Sequence, residues 1–234
     1  MHVVVDISGD ASFHLCTDTP EDLVHIPPSD DDHQRISNIF NNAWKHPKPF
    51  PKIHNIFYVA HHSADALAHI SRFSNYSFLW LNSNKVGNTQ LLFHGTPRTC
   101  LIGTTASPAH TRLCERLDCS LCLILRESYD IEKAKSARMF GTGIYSTNVS
   151  SKADLYASPR RLMGRATLKS VILNHVVLGR TQLMLSADQS LQHAPDIYNS
   201  VTGATSSEGG ALAYHEAVVY REDAMCASAV IFYE

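Results

Sequence analysis

The sequence predicts a mixed α+β domain built on an antiparallel or split sheet with peripheral helices, and three observations predict it. Strand-like runs come early and late with short helices between them. There is no βαβ rhythm and no G-x-G-x-x-G, which argues against a doubly wound dinucleotide-binding sheet. The 234 residues suffice for one good-sized core but fall short of two typical domains joined by a linker.

Taken in order, "MHVVVDISGDASFHLCT" reads as two short strands around Ser8-Gly9-Asp10, a hairpin signal. "PEDLVHIPPSDDD" reads as a linker, because prolines and an acidic cluster break any periodicity, and residues 1–29 are expected to form an N-terminal extension. A helix follows: Ile36, Ile39, Phe40, Ala43 and Trp44 share one face, Asp30 to Asp32 sit where the helix dipole favours negative charge, and Pro47 ends the run. "KIHNIFYVA" is strand-like, and "SADALAHISRF" is helix-like with Ser63 or Asp65 able to cap it. The strand "QLLFH" leads into a long cysteine-bearing insertion at about residues 97–139. "SVILNHVVLG", "HEAVVY" and "ASAVIFYE" then read as buried strands, so the main domain is expected over residues 30–234.

Composition narrows the class further. With 44% hydrophobic residues, 18% charged and a net charge of -2, the chain resembles a folded globular protein and lacks the basic excess of a nucleic-acid-binding surface. "PRRLMGR" is a local basic stretch, read either as a cover for an anionic ligand or as a solvated loop. The N-terminus lacks the positive start and apolar core of a secretory signal, and no apolar run approaches a membrane span. An intracellular location without a membrane partner is therefore expected.

Four segments place polar groups at strand ends or tight turns: "FHGT", "FGTGIYS", "SSKADLYA" and "YHEAVVY". Singly, each has a structural explanation: a histidine closing an apolar strand, glycines in a turn, tyrosines in a core. Glu216 differs, because a carboxylate inside an apolar β-branched strand is costly if buried without a partner.

Together these segments resemble the catalytic domain of the poly(ADP-ribose) polymerase family, the diphtheria-toxin-like ADP-ribosyltransferases, from about Asp32 to the C-terminus. The family's triad is a histidine in a His-Gly-Ser/Thr motif, a tyrosine in Gly-x-Gly-Ile-Tyr, and a glutamate ahead of a Val-Val-Tyr-like strand; here these are His94, Tyr145 and Glu216. The resemblance implies an ADP-ribosyltransferase fold with split, mainly antiparallel sheets and NAD as donor substrate. It also implies that His94 bonds the adenosine ribose with Thr96 nearby, that the Gly95 backbone grips the nicotinamide carboxamide, and that Tyr145 and Tyr156 sandwich the ring. Glu216 would bind the nicotinamide-ribose hydroxyl and polarise the acceptor. In the Ser-Lys-Ser place, Ser151-Lys152 is followed by Ala153, so Ser151 is carried over as a donor contact while one carboxamide contact is lost and weaker NAD binding is expected.

The implied reaction moves ADP-ribose to a protein or nucleic-acid acceptor with release of nicotinamide. The segment "DDHQRISNIFNNAWKHPKPFPKIHNIFYV" looks more like the mono-transferring branch. Two other readings stay open: NAD glycohydrolysis, and an inactive module that binds ADP-ribose or nucleic acid.

Four of the six cysteines, Cys100, Cys114, Cys119 and Cys122, crowd into one short segment. In a reducing compartment a Cys-x-x-Cys pair with two further thiols favours a structural zinc site over disulfides, with His110 as a substitute ligand; the alternative is four buried thiols acting as small hydrophobes. A metal there is expected to brace the insertion that joins the His94 and Tyr145 motifs. Cys16 and Cys226 have no evident role.

Overall fold

The computed structural model describes residues 2–5, 7, 13–16, 21–81, 88–134, 138–157 and 168–234. The chain forms β1 (His2–Val5), β2 (Phe13–Cys16), β3 (Leu23–Ile26), α1 (Asp31–Asn42), β4 (Ile53–Val59), α2 (Ala64–Leu81) and β5 (Thr89–Gly95). It continues with α3 (Ser120–Glu127), β6 (Ile144–Ser146), α4 (Ser150–Ala153), β7 (Lys169–Val177), β8 (Thr181–Met184), β9 (Ser200–Gly203), β10 (Glu216–Val219) and β11 (Met225–Tyr233).

Two sheets share the core. One runs β3-β4-β11-β7-β5 with every pair antiparallel, and the other runs β6-β10-β9-β8, of which only β8 and β9 are parallel. The sheets meet where Phe93 of β5 bridges Thr147, their backbones exchanging hydrogen bonds of 2.8 and 3.0 Å. This is the split α+β architecture expected from the sequence. β1 and β2 pair as the predicted hairpin, while its turn at residues 8–10 lies outside the described residues. The basic stretch with Arg160 and Arg161 lies outside them as well.

Period-two alternation along β11 decides which layer covers which face. Ala229, Ile231 and Tyr233 pack with Ile36, Phe40 and Trp44 of the α1 region, whose apolar stripe is the one read from spacing. Val230 and Phe232 point the other way, against Cys119, Leu121, Cys122 and Leu125 of the insertion. Asp30 caps α1 by accepting from the Asp32 N–H, and Ser63 caps α2 by accepting from the Ala66 N–H. Among the described residues, no helix is long and apolar enough to cross a membrane.

One sequence expectation needs correction. The stretch read as a linker contains β3, which pairs with β4 at the edge of the five-stranded sheet and buries Leu23 and Ile26. The cysteine-bearing insertion, to which the sequence assigned no element, forms α3 with Leu121, Cys122 and Leu125 on its buried face.

Candidate active site

At the junction of the sheets lies a cavity of about 400 Å³. β5 delivers His94 and Gly95, with Thr96 just past its end; β6 delivers Tyr145, α4 delivers Lys152 and Ala153, and β10 delivers Glu216. Tyr156 joins them just beyond α4, so the three triad positions read from separate motifs line one cavity.

His94 is positioned by a hydrogen bond from its Nδ1–H to the Tyr145 carbonyl oxygen at 2.7 Å, with the Tyr129 ring edge-on at 5.2 Å. Burial pushes its pKa down to about 4, so the ring is neutral near pH 7. With the proton on Nδ1, Nε2 carries a lone pair and can accept from a hydroxyl. The Tyr145 hydroxyl donates to the Gly141 carbonyl oxygen at 2.8 Å and accepts from the Phe140 N–H at 3.0 Å, which fixes the ring and leaves its face for contact. Gly141 has φ +70, and a β-carbon there would stand 1.9 Å from the Leu191 carbonyl oxygen; the turn that holds Tyr145 requires glycine.

Glu216 is 9% exposed, and the Lys152 ammonium lies 3.6 Å from its Oε1. Lys152 also donates to the Tyr214 carbonyl oxygen at 2.9 Å. Burial lowers the Lys152 pKa and the Glu216 charge opposes that shift, so the lysine is the counter-charge that permits a carboxylate inside an apolar strand. Sequence reasoning passed over Lys152, although its place between Ser151 and Ala153 beside a strand carboxylate was a usable signal.

Gly95 is required for a reason the motif does not reveal: a β-carbon would stand 1.9 Å from the Ala153 carbonyl oxygen. The glycine lets α4 dock against β5 and so brings Ala153 and Tyr156 to the cavity. Ser151, by contrast, does not line the cavity. Its buried hydroxyl accepts from the Lys45 and His46 N–H groups at 2.9 and 3.0 Å, while Ser150 donates to the Phe40 carbonyl oxygen at 2.7 Å. Both serines tether α4 to the end of α1, and neither lines the cavity.

The opposite wall comes from the insertion. Ser120, Leu123 and Ile124 of α3 line the cavity together with Tyr129, Asp130, Lys133 and Arg138. The other face of α3 carries Cys122, and Cys119 stands at its N-terminal cap. The sulfurs of Cys100, Cys114, Cys119 and Cys122 all lie within 4.8 Å of one another. Cys100 is 3.7 Å from Cys119 and 3.5 Å from Cys122, close to the sulfur–sulfur edge of about 3.8 Å in a tetrahedral zinc–thiolate site. His110 instead meets the hydroxyls of Thr104 and Thr105.

Arg98 gives an independent sign of negative charge at the cysteines. It is 1% exposed, and among the described residues its side chain donates only to neutral carbonyls, those of Cys100, Ile102 and Leu168. A buried guanidinium needs a compensating anion, and a divalent ion held by four thiolates leaves a net double negative charge beside it. The four residues therefore fit a closed, structural zinc site with no open position for water.

The family model for the poly(ADP-ribose) polymerase catalytic domain matches residues 121–226, a span that takes in α3 from Leu121 onward, Tyr145, Lys152 and Glu216 and begins after His94. None of the curated proteins compared with the chain matches it.

Proposed function

Residues 121–226 belong to the poly(ADP-ribose) polymerase catalytic-domain family, whose activity is NAD-dependent ADP-ribosyl transfer, and from that premise we propose that the chain moves single ADP-ribose units from NAD to a protein or nucleic-acid acceptor. The observation that supports it best is the convergence of His94, Tyr145 and Glu216 on one cavity from three separate strands. The catalytic unit in this reading is residues 30–234 together with β3.

NAD loses nicotinamide by breaking the bond between the ribose C1′ and the ring nitrogen, which keeps the electron pair and leaves neutral. Positive charge then develops on the ribose. Glu216 supplies the negative group beside that charge and accepts from the ribose hydroxyl, while Lys152 holds the carboxylate in place. Neutral His94 accepts a hydroxyl of the adenosine ribose at Nε2, with Thr96 alongside. The fixed face of Tyr145 and the half-exposed ring of Tyr156 take the nicotinamide, and the Gly95 backbone takes its carboxamide. Ala153 faces the cavity where a hydroxyl would add a further carboxamide bond, so the donor is held less tightly than by a Ser-Lys-Ser site.

Zinc held by Cys100, Cys114, Cys119 and Cys122 has a structural part in this reading. It fixes the N-terminal end of α3, and through Ser120, Leu123 and Ile124 the far wall of the cavity. Incubation with adenylate-labelled NAD tests the proposal: label must pass to a macromolecule as nicotinamide appears, and wild-type protein that leaves NAD intact overturns it.

A further inference from the structure

Three charged groups that line the cavity have no part in the reaction described above; of these, Asp130 and Lys133 pair with each other, and Arg138 does not share that pairing. The Arg138 guanidinium lies over the Tyr145 ring at 5.1 Å and over the Tyr156 ring at 5.8 Å. Arg98 and Lys152 are anchored by backbone carbonyls, but among the described residues no hydrogen bond or ion pair anchors the Arg138 side chain. Among the described residues, the faces of Tyr145 and Tyr156 are what it packs against.

A planar, delocalised cation against two tyrosine faces is the electrostatic pattern that the pyridinium ring of NAD presents to the same pair. Both cannot occupy the slot. We propose that Arg138 is the resident occupant of the nicotinamide slot in the free protein and is displaced by the donor ring, which makes it a residue that sets donor affinity. The inference rests on the donor-pocket reading of Tyr145 and Tyr156.

Ring contacts alone are weak enough for a ligand to replace. The slot is competent only in the fraction of molecules whose arginine is out, and apparent affinity is reduced by that fraction. An intact guanidinium therefore weakens ring binding, the reverse of what a residue that holds the donor would do.

Calorimetric titration of nicotinamide and of the cationic 1-methylnicotinamide into wild type, Arg138→Ala and Arg138→Gln tests this. Both variants are expected to bind each probe about fivefold more tightly, with unchanged thermal midpoints. The glutamine variant keeps a planar group but lacks the charge, so it separates loss of the cation from the opening of space. Binding by wild type with equal or weaker binding by both variants overturns the assignment alone. Binding by none of the three proteins overturns it together with the pocket reading.

Discussion

The Nδ1–H of His94 donates to the Tyr145 carbonyl oxygen at 2.7 Å, so two residues from different motifs and different sheets are joined directly. That bond fixes the imidazole tautomer, and the seam between β5 and β6 fixes the bond. The cavity exists because the sheet splits there, with His94 and Tyr145 on its two lips.

Acid destabilises this arrangement. His61 and His94 each have a pKa pushed down from 6.5 to about 4, chiefly by burial, so the unfolded chain binds protons more readily than the folded one below pH 6.5. Their contribution is fully present above that pH and is lost as pH falls toward 4. For His61 it amounts to at most about 3 kcal/mol, and for the less completely buried His94 to less. Thermal midpoints measured from pH 7 to pH 4 should fall progressively, with proton uptake on unfolding. Asp154, held by Lys169, Lys48 and Tyr233, has a lowered pKa, so its own contribution fades only at still lower pH. A flat midpoint across the histidine window would contradict the buried neutral pair.

Metal content is the next expectation. Wild-type protein dialysed against metal-free buffer should retain about one zinc per chain, and Cys122→Ser should retain less than about a tenth. Because Cys122 and Leu125 share the buried face of α3, the variant should also melt at least about 5 °C lower. Zinc-free wild type with an undiminished cooperative transition would reduce the cluster to four buried thiols.

Gly95→Ala should be costly although it adds one methyl group. The new carbon would stand 1.9 Å from the Ala153 carbonyl oxygen, a backbone atom that cannot swing aside, so α4 must move. A loss of about 3 kcal/mol in urea unfolding is expected, with nicotinamide binding lost alongside. Gly209→Ala is the comparison: nothing lies within 4 Å, but φ is +80, so only about 1 kcal/mol of backbone strain is expected. Equal effects of the two would show that β5 and α4 tolerate separation.

Much of the scaffold was legible in the sequence because its signals are long or strongly periodic. The stripe of Ile36, Phe40 and Trp44 and the runs that became β4, β7 and β11 needed no knowledge of neighbours. β3 was hidden: four residues among prolines and acids carry too little alternation, and its place is set by pairing with β4. α3 was masked by Cys122, which read as a ligand while also completing an apolar face. At the site, His94, Tyr145 and Glu216 were singled out through motif chemistry, and all three line one cavity. Ser151 shows the limit of that approach, since a motif gives a residue type but not the side to which the hydroxyl turns. Arg138 carried no signal at all, because a contact with two rings depends on tertiary placement.

The central claim is transfer of ADP-ribose dependent on Glu216, and adenylate-labelled NAD compared between wild type and Glu216→Gln tests it most directly. Wild type should place label on a macromolecule as nicotinamide is released, and the variant should do so at least about 100-fold more slowly while still binding nicotinamide. Nicotinamide release with all label recovered as free ADP-ribose, or equal transfer by both proteins, would contradict the account.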